Sequence, residues 1–219
     1  MSFKNKFTYV LLLLSVLSAI MALITSNFIF KSGTAGIGII ILILLHFRKV
    51  KPSKATWLIV GAFLFSIAGD WFLSNMDGDS MMFSKGIALF FLAHVGYLLF
   101  ALFNGRIKWR FTAILLTVFL IYYFLLLYPS FDDEILMLAA LIYLLVSCLS
   151  LGAAVGIKSD PLVKRAYVFG IFLVLFSDTI ISLKEFLGYD ALNFLILPTY
   201  YLAHISITFS LIRKVDLGR

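Results

Sequence analysis

Two aspartates stand where a carboxylate is costly. Asp70 closes the run Gly61-Ala-Phe-Leu-Phe-Ser-Ile-Ala-Gly-Asp70, and Asp178 closes Gly170-Ile-Phe-Leu-Val-Leu-Phe-Ser-Asp178. An ionisable group inside a membrane span costs roughly 2.5–3.5 kcal/mol on insertion scales, so its presence asks for a reason. No other acid of the chain lies well inside an apolar run. Each is followed four residues later by a serine, Ser74 and Ser182, which a helix sets on the same face. Two carboxylates sharing a low-dielectric pocket push their ionisations apart, so that one holds a proton while the other stays charged. Such a pair can protonate a poor base and stabilise the cation that forms. This is the logic of glycosidic cleavage through an oxocarbenium ion, and acid hydrolysis of a vinyl ether follows the same course.

The elements that must position these residues are membrane helices. The chain has 219 residues, 63% hydrophobic and only 13% charged, with a mean hydropathy of +1.07. Soluble domains carry about 25% charge, and no stretch here is polar enough to form one. The expected fold class is therefore all-α: a polytopic membrane protein forming a single integral membrane domain over residues 1–219. About 20 apolar residues cross a bilayer as a helix. Eight segments qualify: Phe7–Ile24, Gly33–Phe47, Ala55–Ser74, Lys85–Phe103, Phe111–Tyr128, Ile135–Ile157, Ala166–Leu187 and Ala191–Ile212. The first is long for a signal peptide and has no clear small-residue cleavage site. The second is short and carries Gly33, Gly36 and Gly38, which suit either close helix packing or a tilted, partly unwound span. Pro52 and Pro161 precede the third and seventh spans, where proline suits a helix start.

Charge gives an orientation. Of 18 lysines and arginines, all but Lys31, Lys85 and Lys184 fall in the two tails and the loops at 46–54, 104–110 and 158–165. The opposite loops collect acids, among them Asp77, Asp79, Asp132, Asp133, Glu134, Glu185 and Asp190. The positive-inside rule then places both termini in the cytoplasm. The excess of +7 belongs to topology rather than to nucleic acid, since there is no basic domain to bind it. Cys148 is the one cysteine, which excludes an internal disulfide.

The two halves echo each other. Pro52-Ser-Lys54 and Pro161-Leu-Val-Lys164 precede the acids, and Leu92-Ala-His94 and Leu202-Ala-His204 follow them. This predicts two parallel repeats of four helices, residues 1–104 and 105–219, with a site at their interface. At about 1.5 Å per residue, Asp178 and His94 fall near mid-span, Asp70 roughly 8 Å outward and His204 about 4 Å inward. All four could line one cavity.

The runs Leu64-Phe-Ser-x-x-Gly-Asp70, Phe91-Leu-Ala-His94-x-x-Tyr97, Leu175-Phe-Ser-Asp178 and Thr199-Tyr-Tyr-Leu-Ala-His204 together resemble the lysoplasmalogenase (YhhN-like) family of membrane proteins. The resemblance runs from the third span to the end of the chain. It implies an eight-helix hydrolase that cleaves the vinyl ether of lysoplasmalogens to a fatty aldehyde and glycerophosphoethanolamine or glycerophosphocholine. It also implies that Asp70 and Asp178 are the catalytic pair. The family pattern often has glutamine at the position of His204. The expected substrate-binding residues are His94, Tyr97, Tyr200, His204, Ser74 and Ser182, with no metal and no cofactor. The expected partners are a lysophospholipid substrate and membrane lipids, with no nucleic acid, and the expected location is a bacterial plasma membrane. Competing readings are a zinc-dependent intramembrane lipid hydrolase, for which Asp70, His94, Asp178 and His204 have suitable types, and a proton-coupled transporter. A third is a lipid-binding protein without turnover.

Overall fold

The computed structural model describes residues 3–48, 54–131 and 133–217. Lys51, Pro52 and Asp132 lie outside them. Eight helices follow in order: α1 (Phe3–Thr25), α2 (Phe28–Arg48), α3 (Ala55–Ser74), α4 (Ser80–Phe103), α5 (Trp109–Tyr122), α6 (Glu134–Val155), α7 (Pro161–Leu187) and α8 (Ile196–Leu217). A π-helical turn at Tyr123–Leu127 and a 3-10 turn at Tyr128–Ser130 prolong α5, and a 3-10 turn at Asn193–Leu195 leads into α8. No strand occurs among the described residues. All eight units are long and apolar enough to cross a membrane, so the chain is an integral, multi-pass protein.

The helices overrun the apolar segments at several ends, because polar residues cap them. Asp160 accepts a hydrogen bond from the Leu162 N–H at 2.9 Å, and Pro161 occupies the first position of α7. The Asp79 carboxylate caps α4 through the Met81 N–H at 2.8 Å. Asp133 does the same for α6 through the Ile135 N–H at 2.7 Å. Each cap satisfies an N–H that the first turn leaves unpaired. Hydropathy alone misses these turns because their residues are polar. The second span is one continuous helix of 21 residues, which rules out a partly unwound segment.

Glycines set how closely the helices approach. A side chain at Gly96 of α4 would lie 2.8 Å from the Leu58 carbonyl oxygen and 3.0 Å from Ala62 Cβ, both on α3. One at Gly170 of α7 would lie 3.0 Å from the Ala203 carbonyl oxygen of α8. The pairs α3/α4 and α7/α8 are accordingly the most extensive in the fold. Gly33 abuts Ser18 of α1, and Gly38 abuts Phe63 and Thr208, whereas Gly36 faces open space. Small residues at such crossings stand in for the hydrophobic driving force that lipid removes.

Interhelical polar contacts add to the packing. Ser15 donates to the Thr34 carbonyl at 3.1 Å, Ser210 to that of Val163 at 2.7 Å and Tyr167 to that of Tyr97 at 2.9 Å. At one end of the bundle the α4–α5 and α6–α7 connections are tied together by a bridge between Gly105 and Ile157. The Lys158 N–H donates to the Asn104 carbonyl there at 2.9 Å, and Lys214 donates to the Asn104 side chain. Outward faces are apolar: Val10, Leu13, Leu17 and Ile24 of α1 and Ile114, Val118 and Ile121 of α5 are exposed, as a lipid-facing surface requires.

Replacing Gly96 by valine is expected to cost about 1–3 kcal/mol through overpacking, read as a lower thermal midpoint of the detergent-solubilised protein. Gly61→Ala, in α3 where nothing lies within 4 Å, serves as the control and should melt with the unaltered protein. Equal midpoints for Gly96→Val and the unaltered protein would remove this close approach as a determinant of the fold.

Candidate active site

Asp178 projects from the second half of α7 and is held from two other helices. The Tyr143 hydroxyl of α6 donates to its Oδ2 at 2.7 Å, and Nε2 of His94 on α4 lies 2.7 Å from the same oxygen. His94 is 1% exposed and Asp178 12%, so these contacts are made away from water, where a hydrogen bond to a carboxylate is strongest. The His94 ring meets that of Tyr143 edge-on at 5.1 Å, which fixes both donors.

Asp70 lies four residues from the end of α3. The Tyr200 hydroxyl of α8 donates to its Oδ2 at 3.1 Å. Lys31 of α2 borders the same hollow as Asp70. Both carboxylates line one cavity of about 300 Å³. The two acids, drawn from distant parts of the sequence, thus face a common hollow. Tyr200 is packed edge-on against Phe90 at 5.9 Å, so the phenol that reaches Asp70 is itself fixed.

The cavity has two kinds of wall. Toward the helix ends it is polar, with Lys31, Ser74, Lys184, Glu185 and Asn193. Past Asp178 begins a second, apolar cleft that shares Phe83, Phe90, Asp178 and Ile181 with the first. That cleft runs between α4, α5, α6 and α7 and is lined further by Phe119, Leu144 and Leu175. The π-helical turn contributes Leu127 to it. Insertions of this kind often mark functional sites. Asp178 sits where polar and apolar walls meet.

The remaining expected site residues divide. Ser74 lines the polar cavity. Ser182 lines the apolar cleft, 2.7 Å from the Tyr122 hydroxyl. Tyr97 is buried behind His94, its hydroxyl 3.5 Å from Ser66 Oγ. His204 is fully buried and borders neither hollow. Its ring lies edge-on to Phe63 at 4.8 Å and to Tyr200 at 4.4 Å, and neither ring nitrogen has a hydrogen-bond partner. Its contact with the site runs through the Tyr200 ring. The four residues considered as zinc ligands do not converge: among the described residues no three of His, Cys, Asp and Glu cluster closely enough to hold a metal ion.

Sequence reasoning passed over Tyr143, Lys31 and Lys184. Tyr143 is the one tyrosine of the sixth span, and a phenol in such a run is a signal of the same kind as the aspartates. The two lysines could have been singled out as cations on the acid-rich side.

Comparison with curated proteins and with solved structures returned no match. A family model does match, over residues 26–211, and it takes in α3, α4 and α7 whole together with the part of α8 that carries Tyr200. The chain belongs to the YhhN family, the family of lysoplasmalogenase-like proteins.

Proposed function

We propose that this protein is a membrane hydrolase that cleaves the vinyl ether bond of a lysoplasmalogen, with Asp70 and Asp178 as its acid/base pair. One observation carries the reading: two carboxylates on different helices line the same intramembrane cavity, and each is held by a phenol from a further helix. Membership of the YhhN family supports it.

The chemistry follows from the pair. One carboxyl gives its proton to the alkene carbon remote from oxygen, leaving an oxocarbenium ion at the carbon that bears the oxygen. The other, as carboxylate, faces that cation and takes a proton from the attacking water. The resulting hemiacetal loses its C–O bond, with a proton going to the departing oxygen. The products are a fatty aldehyde and the glycerophospho-alcohol, and one water is consumed. Positioned acid–base groups contribute roughly 10²–10⁴-fold each. Fixed donors matter as much as the acids, because a preorganised carboxylate need not reorient as charge develops. Tyr143 and His94 supply that fixity to Asp178, and Tyr200 supplies it to Asp70.

The junction of polar cavity and apolar cleft suits an amphiphile with a single chain. Its hydrocarbon can lie among Phe119, Leu144 and Leu175 while its polar part occupies the cavity. The bond between chain and glycerol then falls beside Asp178.

Purified protein given a lysoplasmalogen is expected to release aldehyde, and given an ester lysolipid to release no fatty acid. Asp70→Asn and Asp178→Asn should each lower aldehyde release by about 10²-fold or more; near-normal turnover in either variant would end this mechanism. Tyr143→Phe should lower kcat by roughly 10-fold, the loss of one charge-assisted hydrogen bond. Substrate flux into liposomes with no aldehyde formed would favour the transporter instead.

A further inference from the structure

Cations are scarce at the end of the bundle where the cavity opens. Lys31, Lys85 and Lys184 are the three in that half of the charge pattern, which the positive-inside rule otherwise keeps free of lysine. Lys85 is accounted for by a ring: its ammonium stands 5.8 Å from the centroid of Phe72, a cation–π distance. The other two come from different helices, α2 and α7, and both line the cavity that holds the carboxylates. Lys184 stands 2.8 Å from Glu185 and Lys31 shares the hollow with Asp70 and Asp178, and two cations from different helices that converge there can meet one further anion between them.

From this convergence we infer that Lys31 and Lys184 form the binding site for the phosphate of a single-chain phospholipid, which enters headgroup outward and chain toward the apolar cleft. The inference rests on the proposed hydrolase and deepens it by fixing which way the substrate lies. Lys184 follows Asp178 by six residues on α7, roughly 9 Å along the axis. A span of that order is what a glycerol and its phosphoester link would cover between the chain's first bond and the phosphate. Glu185 lies 2.8 Å from the Lys184 ammonium, so it holds that cation at the wall and offers a carboxylate to the headgroup amine. Ser74 and Asn193, on the same walls, can hydrogen-bond to glycerol and phosphate oxygens. A phosphate at the lysines leaves the first chain bond at Asp178 and the hydrocarbon beyond it among Phe119, Leu144 and Leu175.

Lysines that merely offset the charge of Asp70 and Asp178 would predict no preference for phosphate, and that difference decides the test. Binding to the full-length detergent-purified protein is measured for a saturated 1-O-alkyl-glycerophosphoethanolamine, which has no vinyl bond to cleave, and for the matching 1-O-alkylglycerol, which has no phosphate. Lys31→Ala, Lys184→Ala and the double variant should weaken the phospholipid about 10-fold or more, leave the alkylglycerol unchanged, and be largely rescued by Lys→Arg. Equal weakening of both ligands, or of neither, would overturn the assignment. Glycerophosphoethanolamine and inorganic phosphate are added as competitors. Displacement by inorganic phosphate as effective as by the phospholipid itself would assign the lysines to free phosphate and overturn the lipid reading. Because the ligand is not cleaved, absent aldehyde release with phosphate-dependent binding intact would sink the hydrolase and leave the phosphate site standing.

Discussion

A carboxylate within a membrane helix is costly to leave unpaired, and Asp178 answers this by drawing in hydrogen-bond donors from α4 and α6. Three helices are thereby committed to one point. An unpaired charge at that depth would be several kcal/mol worse than a paired one, so the arrangement of α4, α6 and α7 is under a constraint stronger than any single apolar contact. Asp70 imposes the same demand on a smaller scale, tying α3 to α8 through Tyr200. The polar centre thus specifies which helices meet, in a solvent where hydrophobicity alone cannot tell one apolar face from another.

Close packing makes the meeting possible. Gly96 lets α4 lie against the backbone of α3, and Gly170 lets α7 lie against α8. Each of these pairs carries one acid and one aromatic or imidazole partner used by the other pair: His94 of α4 reaches Asp178 of α7, and Tyr200 of α8 reaches Asp70 of α3. This exchange is reciprocal and locks the two pairs together across the cavity. Around it, α1 and α5 present exposed apolar side chains to the outside. Among the described residues the donors to the two aspartates come from α4, α6 and α8.

The cavity joins two environments that an amphiphile also joins. Its lysines and glutamate stand toward the helix ends, and the apolar cleft beside it reaches inward to Phe119, Leu144 and Leu175. Such a form fits the amphiphile of the proposed reaction, with the polar part in the cavity and the chain in the cleft. The polar walls lie toward the helix ends, the side from which the proposed reaction would draw its water.

Much of this was legible in the amino-acid order. Eight apolar runs separated by short polar loops can form little but eight membrane helices, since every backbone N–H and C=O must be satisfied within its own segment. Asp70 and Asp178 stood out because nothing else in their runs is charged, and His94 stood out through the repeated Leu-Ala-His. What hydropathy could not show was direction around each helix. His94 and His204 share the same local motif, yet one reaches a carboxylate and the other is enclosed by the rings of Phe63 and Tyr200. Tyr143 and the cavity-lining lysines are marked by type, a phenol in an apolar run and cations among acids, but not by the direction in which they point. Their positions depend on glycine-mediated approach and on helix rotation, which arise between segments far apart in the chain. Residue types alone determined that there would be membrane helices with acids inside them; only the packing of those helices decided which donors the acids would meet.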